Sequence, residues 1–112
     1  MPRRLRRLYE RFDVDLKVAI ISKPSDRKVE ADIINLGMGG ALLRVRAVLE
    51  TEIRMTFQAG GVECVLDAYV IRRDEDANDQ DHAIYGVEFH PNPDMEKRLK
   101  KLLQELERRG KK

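Results

Sequence analysis

Phe12, Val14, Leu16, Val18 and Ile20 alternate with Asp13, Asp15, Lys17 and Ala19. An apolar–polar period of two suits a strand with one face on a core and one in water, and no helix can present it to a single neighbour. The pattern recurs along the chain. "KPSDRK" closes the first run with turn-forming residues, and a second run from Val29 to Leu36 alternates less cleanly before a glycine-rich stretch. Ala41 to Val45 restarts as a short strand, and Ile53, Met55 and Phe57 mark the next. Gly60-Gly61 is a hairpin signal, after which Val62, Cys64, Leu66, Ala68 and Val70 alternate again. "RDEDANDQD" reads as an exposed connection to a last run of Ala83, Tyr85, Val87 and Phe89. Six short strands with turns between them predict a small antiparallel barrel or sandwich.

The ending changes period. Asn92 is a good N-cap, Pro93 suits the first helical position, and Asp94 complements the helix dipole. Met95, Leu99, Leu102, Leu103 and Leu106 then recur every three or four residues, predicting a helix over about 92–109 with one apolar face. That face can cover an open end of the sheet structure or form a dimer seam, so both a monomer and a homodimer fit the pattern.

With 112 residues there is material for one core, and no linker divides the chain. The expected organisation is a flexible Arg-rich leader over 1–11 and a single domain over 12–112. Lys and Arg total 22 against 20 Asp and Glu, so the net charge of +2 gives little long-range steering of a polyanion. The distribution is less even than the sum: Arg3, Arg4, Arg6, Arg7 and Arg11 crowd the leader, with Glu10 as the single acid there. One cysteine, Cys64, excludes an internal disulfide and fits a reducing compartment. No apolar run approaches the roughly 18 residues that would span a bilayer. The basic start lacks the apolar stretch of a signal peptide, so a cytoplasmic protein without membrane insertion is expected.

Several chemistries fail on spacing. "INLGMGGALL", Ile34 to Leu43, crowds Gly37, Gly39 and Gly40 behind Asn35. A dinucleotide loop needs a third glycine where Leu42 stands, and a phosphate-binding P-loop needs Gly-Lys where Gly40-Ala41 stands. A calcium loop starting at Asp74 needs Gly at Asp79 and Glu at Tyr85. His82 and His90 have no second histidine or cysteine at metal-ligand spacing, and Cys64 falls on an inward strand position, where a thiol is inert. No catalytic set emerges, and a non-enzyme is expected with neither cofactor nor metal.

An Arg-rich leader ahead of the first strand and an Asn-plus-glycine turn after the second remain. Together they resemble the PilZ domain family, whose hallmarks are R-x-x-x-R leading into the first strand and [D/N]-x-S-x-x-G between the second and third. "RLYER" supplies Arg7 and Arg11 immediately before "FDVDLKV", and "NLGMGG" supplies Asn35 and Gly40. "YGVEF" from Tyr85 is similar to the family's last strand, and the terminal helix matches in place and kind. The chain departs at one position, where Gly37 stands in place of the motif serine.

The resemblance implies a six-stranded antiparallel β-barrel with a C-terminal α-helix. It also implies a bacterial receptor for the second messenger cyclic di-GMP that changes conformation and signals to a downstream protein partner. Arg6, Arg7, Arg11, Asn35, Gly37 and Gly40 are the expected ligand-binding residues, Arg6 because a basic residue before the motif accompanies a stacked pair of ligand molecules in the family. The chemistry suits the ligand, since a guanidinium grips phosphate or the O6/N7 edge of guanine with two parallel bonds, or stacks on the purine. A turn rich in glycine admits close approach of a ligand to the backbone, although a hairpin needing positive φ explains the same glycines. Two alternatives compete: a degenerate adaptor that binds proteins only, and a small barrel that binds nucleic acid. The second is disfavoured because Phe12, Phe57, Tyr85 and Phe89 fall on inward positions, leaving Tyr9 and Tyr69 for base stacking.

Overall fold

The computed structural model describes residues 11–78, 80–90 and 92–110. Each predicted run is a strand: β1 (Arg11–Lys23), β2 (Arg27–Gly37), β3 (Gly40–Val45), β4 (Glu52–Ala59), β5 (Val62–Glu75) and β6 (Ala83–Phe89). A single helix, α1 (Pro93–Gly110), follows. All strand pairs are antiparallel, in the order β1-β2-β3-β6-β5-β4, and β4 returns to β1 to close a barrel. Closure pairs β1 with β4 over Val18–Lys23, while the first half of β1 pairs with β2 alone among the described strands.

Inward positions carry the aliphatic set read from the sequence. Val18, Ile20, Ile33, Leu43, Ile53, Met55, Phe57, Cys64, Leu66 and Val87 are all buried and form one cluster. Gly60 and Gly61 turn β4 into β5 with φ of 59° and 79°, the left-handed region that a Cβ disfavours.

Asn92 caps the helix as expected: its Oδ1 accepts a bond from Met95 N–H at 3.2 Å. The apolar stripe then joins the barrel core. Leu99, Leu102 and Leu103 are buried, and Met95 and Leu106 pack at the margin. The helix lies against β5 and β1, so the stripe covers the barrel end at which β1 begins and β6 finishes. Burying a leucine contributes about 1.5–3 kcal/mol, enough for three of them to hold a helix that would be marginal alone.

The opposite end is closed by polar contacts. Tyr85, 1% exposed, accepts bonds at its hydroxyl from Leu49 N–H and Arg73 Nε, each at 3.2 Å. The acidic connection is not wholly solvated, contrary to expectation. Asp76 is buried, its Oδ1 accepts from Asn78 N–H at 3.0 Å, and its Oδ2 lies 3.2 Å from Arg44 Nε. Burial of a carboxylate is tolerated there because a cation faces it.

Candidate functional site

The β1–β2 register decides whether the two motifs can act together. Arg11 is the first residue of β1 and pairs with Gly37, the last of β2; Asp13 pairs with Asn35. Segments more than twenty residues apart in sequence therefore lie side by side at the helix-covered end of the barrel. Arg6 and Arg7 lie outside the described residues, as does all of the expected 1–11 leader but Arg11, which is the first residue of β1.

A bulge makes Asn35 available. Strict alternation from Ile33 would turn Asn35 inward, but the β2 register slips at Ile34 against both neighbouring strands. Leu36 then faces the core and Asn35 faces outward beside Asp13. Asn35 Nδ2 donates to Asp13 Oδ1 at 3.3 Å. Its Oδ1 is buried and has no hydrogen-bond partner among the described residues. An unsatisfied buried acceptor is costly, so a turn of the side chain that brings it to a donor would be favourable.

A second bulge, at Ile71, re-aims β5. Inward alternation through Ala68 and Val70 would send Arg72 into the barrel. The slip instead places Arg72 opposite Gly86 on the outer face and Arg73 opposite Tyr85. Arg73 is accordingly engaged, its guanidinium 5.8 Å from the centre of the Tyr85 ring. Arg72 stays exposed and pairs with Asp74 at 2.9 Å. Across the barrel wall the register now reads Asp13, Asn35, Leu42, Gly86, Arg72.

Gly86 leaves this row low: a Cβ there would meet Arg72 Cβ at 3.5 Å and Leu42 Cδ2 at 3.8 Å. Gly86 is itself buried between the Leu42 and Arg72 side chains, so the outer face of the row is made by an aliphatic side chain beside a guanidinium, groups on which a flat ring can stack. Sequence reasoning did not single out Leu42 or Gly86, since only the cross-strand register reveals them. From the sequence, Arg72 and Arg73 at a strand's end could reach the same ligand, with a solvated edge pair the favoured reading; the register places Arg72 in this row.

Gly40 has a packing role in the barrel. A Cβ on it would sit 2.2 Å from the Val87 carbonyl oxygen, so close strand packing requires glycine there whether or not a ligand approaches. Nor does the turn rely on left-handed backbone: Gly60 and Gly61 are the positive-φ glycines among the described residues, and Gly37, Gly39 and Gly40 are not. The turn is held to β6 by Phe89 N–H bonding Gly39 C=O at 2.9 Å.

Just below the turn lies a cleft of about 500 Å³ between β6 and the start of the helix. Arg11, Met38, Ile71, Glu88, Glu96 and Leu99 are among its walls. Among the described residues no cluster of His, Cys, Asp and Glu could hold a metal ion. Cys64 is fully buried, and burial pushes its thiol pKa up, away from the reactive thiolate. No helix among them is long and apolar enough to cross a membrane.

The family model of the PilZ domain matches residues 5–106, nearly the whole chain and both motif segments. The chain belongs to the PilZ domain family. Solved structures agree on the fold. YcgR from Escherichia coli, in complex with c-di-GMP, superposes with a TM-score of 0.72 at 19% identity, over 94% of this chain and 47% of that one. The Bacillus subtilis inhibitor of motility, MotI/DgrA, gives 0.69 at 19% identity, over 91% of this chain and 50% of that one. The PilZ domain of CeSA from a cellulose-synthesizing bacterium gives 0.64 at 22% identity, over 88% of this chain and 98% of that domain. This PilZ chain thus spans about half the length of the first two. No curated protein sequence matches it.

Proposed function

We propose that this PilZ domain is a receptor for cyclic di-GMP and passes the signal to a partner protein. The observation that carries the reading is the register of β1 on β2, which sets Arg11 against Gly37 and beside the outward row of Asn35, Leu42, Gly86 and Arg72. The row offers one guanine the exposed guanidinium of Arg72 beside the Leu42 side chain, with Gly86 buried between them. Turned outward, the Asn35 carboxamide would bring its buried Oδ1 to the N–H groups of a base.

Charge on the described part of this face is balanced, with Asp13 and Asp74 against Arg11 and Arg72. The phosphates must therefore be met chiefly by the leader, through Arg7 with Arg6 beside it. Charge-assisted, two-pronged bonds from arginine suit that task better than lysine would. A leader that changes position on binding alters the surface shown to a partner, which is how a domain without catalytic groups can transmit a signal. YcgR, captured with c-di-GMP, supports the reading by its fold.

Gly37 favours the competing reading of an adaptor that binds proteins only, because the motif hydroxyl is missing. A lost hydroxyl bond costs about 1 kcal/mol, near fivefold in affinity, which weakens such a site without abolishing it. Isothermal titration of the chain with cyclic di-GMP separates the two. Saturable heat that is lost in Arg11→Ala supports the receptor; no heat at high micromolar ligand excludes it.

A further inference from the structure

The barrel closes unevenly. β4 pairs with β1 from Lys23 back to Val18 and then ends at Ala59, where Gly60 and Gly61 turn it into β5. β1 extends beyond that point, from Lys17 back to Arg11, and there β2 is the one strand that pairs with it among the described residues. The other edge of this stretch presents backbone N–H and C=O groups with no described strand to receive them, an arrangement onto which an extended chain can add.

The side chains beside this edge indicate what such a chain would carry. Phe12, Val14 and Leu16 are half-buried, and with Leu106 of the helix they line a groove of about 490 Å³. Its other walls are Asp13, Asp15 and Glu107, so carboxylates alone set its charge among the described walls. Lys17, the next cation along the strand, is bonded to Asp32 at 2.7 Å. The cleft under the β2–β3 turn differs, since Arg11 and His90 there stand beside Glu88 and Glu96.

A second copy of the same edge is a poor occupant. Antiparallel pairing about Asp15 sets that carboxylate against itself, and pairing about Val14 sets Asp13 against Asp15 twice; like charges directly opposite are destabilising. Pairing about Leu16 runs into Val18, which β4 already holds. A strand with lysine or arginine at its outward positions meets the reverse condition. Its cations fall opposite Asp13 and Asp15, and its alternate apolar residues fall beside Phe12, Val14 and Leu16.

We propose that the free edge of β1 docks an extended segment of a partner protein, with alternating apolar and basic residues, as a further strand of the barrel. Backbone bonds supply the affinity, the groove takes the apolar side chains, and the carboxylates select the basic ones. The edge starts at Arg11 and Asp13, which pair with Gly37 and Asn35, so a partner held here lies next to the nucleotide site. Docking itself needs no nucleotide, and its test does not depend on cyclic di-GMP binding.

An alternating valine–lysine octapeptide, added to the full chain without ligand, is the probe. Backbone NMR should show shift changes over 12–17 and at Leu106 and Glu107, and amide hydrogen exchange within 12–17 should slow. The same peptide N-methylated at its four central residues keeps its charge and loses donors on both edges, so it should bind roughly tenfold more weakly or worse. Asp15→Asn with Glu107→Gln, both at exposed positions, should weaken the unmodified peptide roughly two- to tenfold. Equal affinity of the two peptides would reduce the contact to charge alone and overturn the proposal, as would shift changes centred elsewhere. Slow exchange throughout 12–17 in the peptide-free chain would also overturn it. If independent of concentration, it would show the edge covered by the chain itself; if concentration-dependent, by a second copy.

Discussion

Replacing Gly40 with alanine tests whether the last glycine of the motif serves the fold or the ligand. The new Cβ would lie 2.2 Å from Val87 O, 3.3 Å from Val87 C and 3.4 Å from Glu88 Cα, all backbone atoms. No rotamer change can relieve that contact, so β3 must separate from β6 where Gly40 pairs with Glu88. Overpacking of this kind costs about 1–3 kcal/mol, and a backbone clash in a closed barrel belongs at the upper end. The displacement also strains the bond from Phe89 N–H to Gly39 C=O, worth about 1 kcal/mol more. A loss of about 3–4 kcal/mol corresponds to a fall in Tm of roughly 12–25 °C for a domain of this size. Urea denaturation and thermal melting followed by circular dichroism would measure it. Gly86→Ala is the matched control, since its Cβ finds ordinary contacts from 3.5 Å outward, and its midpoint should stay close to that of the unaltered chain. A Gly40→Ala protein with an unchanged midpoint would refute the packing argument and return Gly40 to the ligand.

Gly37→Ser restores the motif hydroxyl at a position whose backbone is not left-handed, so it should fold normally. It should tighten cyclic di-GMP about fivefold by calorimetry; unchanged or weaker binding would show that the turn is wrongly aligned to the motif. Leu102→Ala empties a fully buried place where the helix meets the barrel, and should cost about 2–5 kcal/mol in a denaturant titration. Acid should destabilise the fold in a defined direction. Arg54, bonded to Asp67 at 2.9 Å, holds that carboxyl below its usual range, and the Ser25 hydroxyl does the same for Glu50. Both folded values lie below the unfolded ones, so their contribution is present above about pH 4 and lost as pH falls through the folded values. Urea midpoints should therefore drop below pH 4, less steeply in Arg54→Ala.

The strands were legible because period two survives in an aliphatic core with few exceptions, from Val18 and Ile20 through Cys64 and Leu66. The helix cap was legible because Asn92 and Pro93 act locally. What escaped the sequence was parity beyond the bulges. One extra residue at Ile34 and another at Ile71 reverse which side chains face out, and nothing local announces either slip. Asn35 and Arg72 reach the same outer row through these two irregularities. Gly86 could not be read at all, because its meaning depends on Arg72 and Leu42 two strands apart. The packing demand on Gly40 was not legible either, because the atom that sets it is a carbonyl of β6. The helix stripe fitted both a cap and a dimer seam until the barrel end it covers was located.

The central claim is that the two motifs form one cyclic di-GMP site on the outer wall at the end covered by the helix. Backbone NMR during titration with cyclic di-GMP tests it most directly. The account predicts the largest shift changes at Arg11, Asn35, Gly37, Leu42, Gly86 and Arg72, with the distant segment over 47–49 unmoved. Changes centred on residues 46–51 and 76–82, or none at saturating ligand, would contradict it.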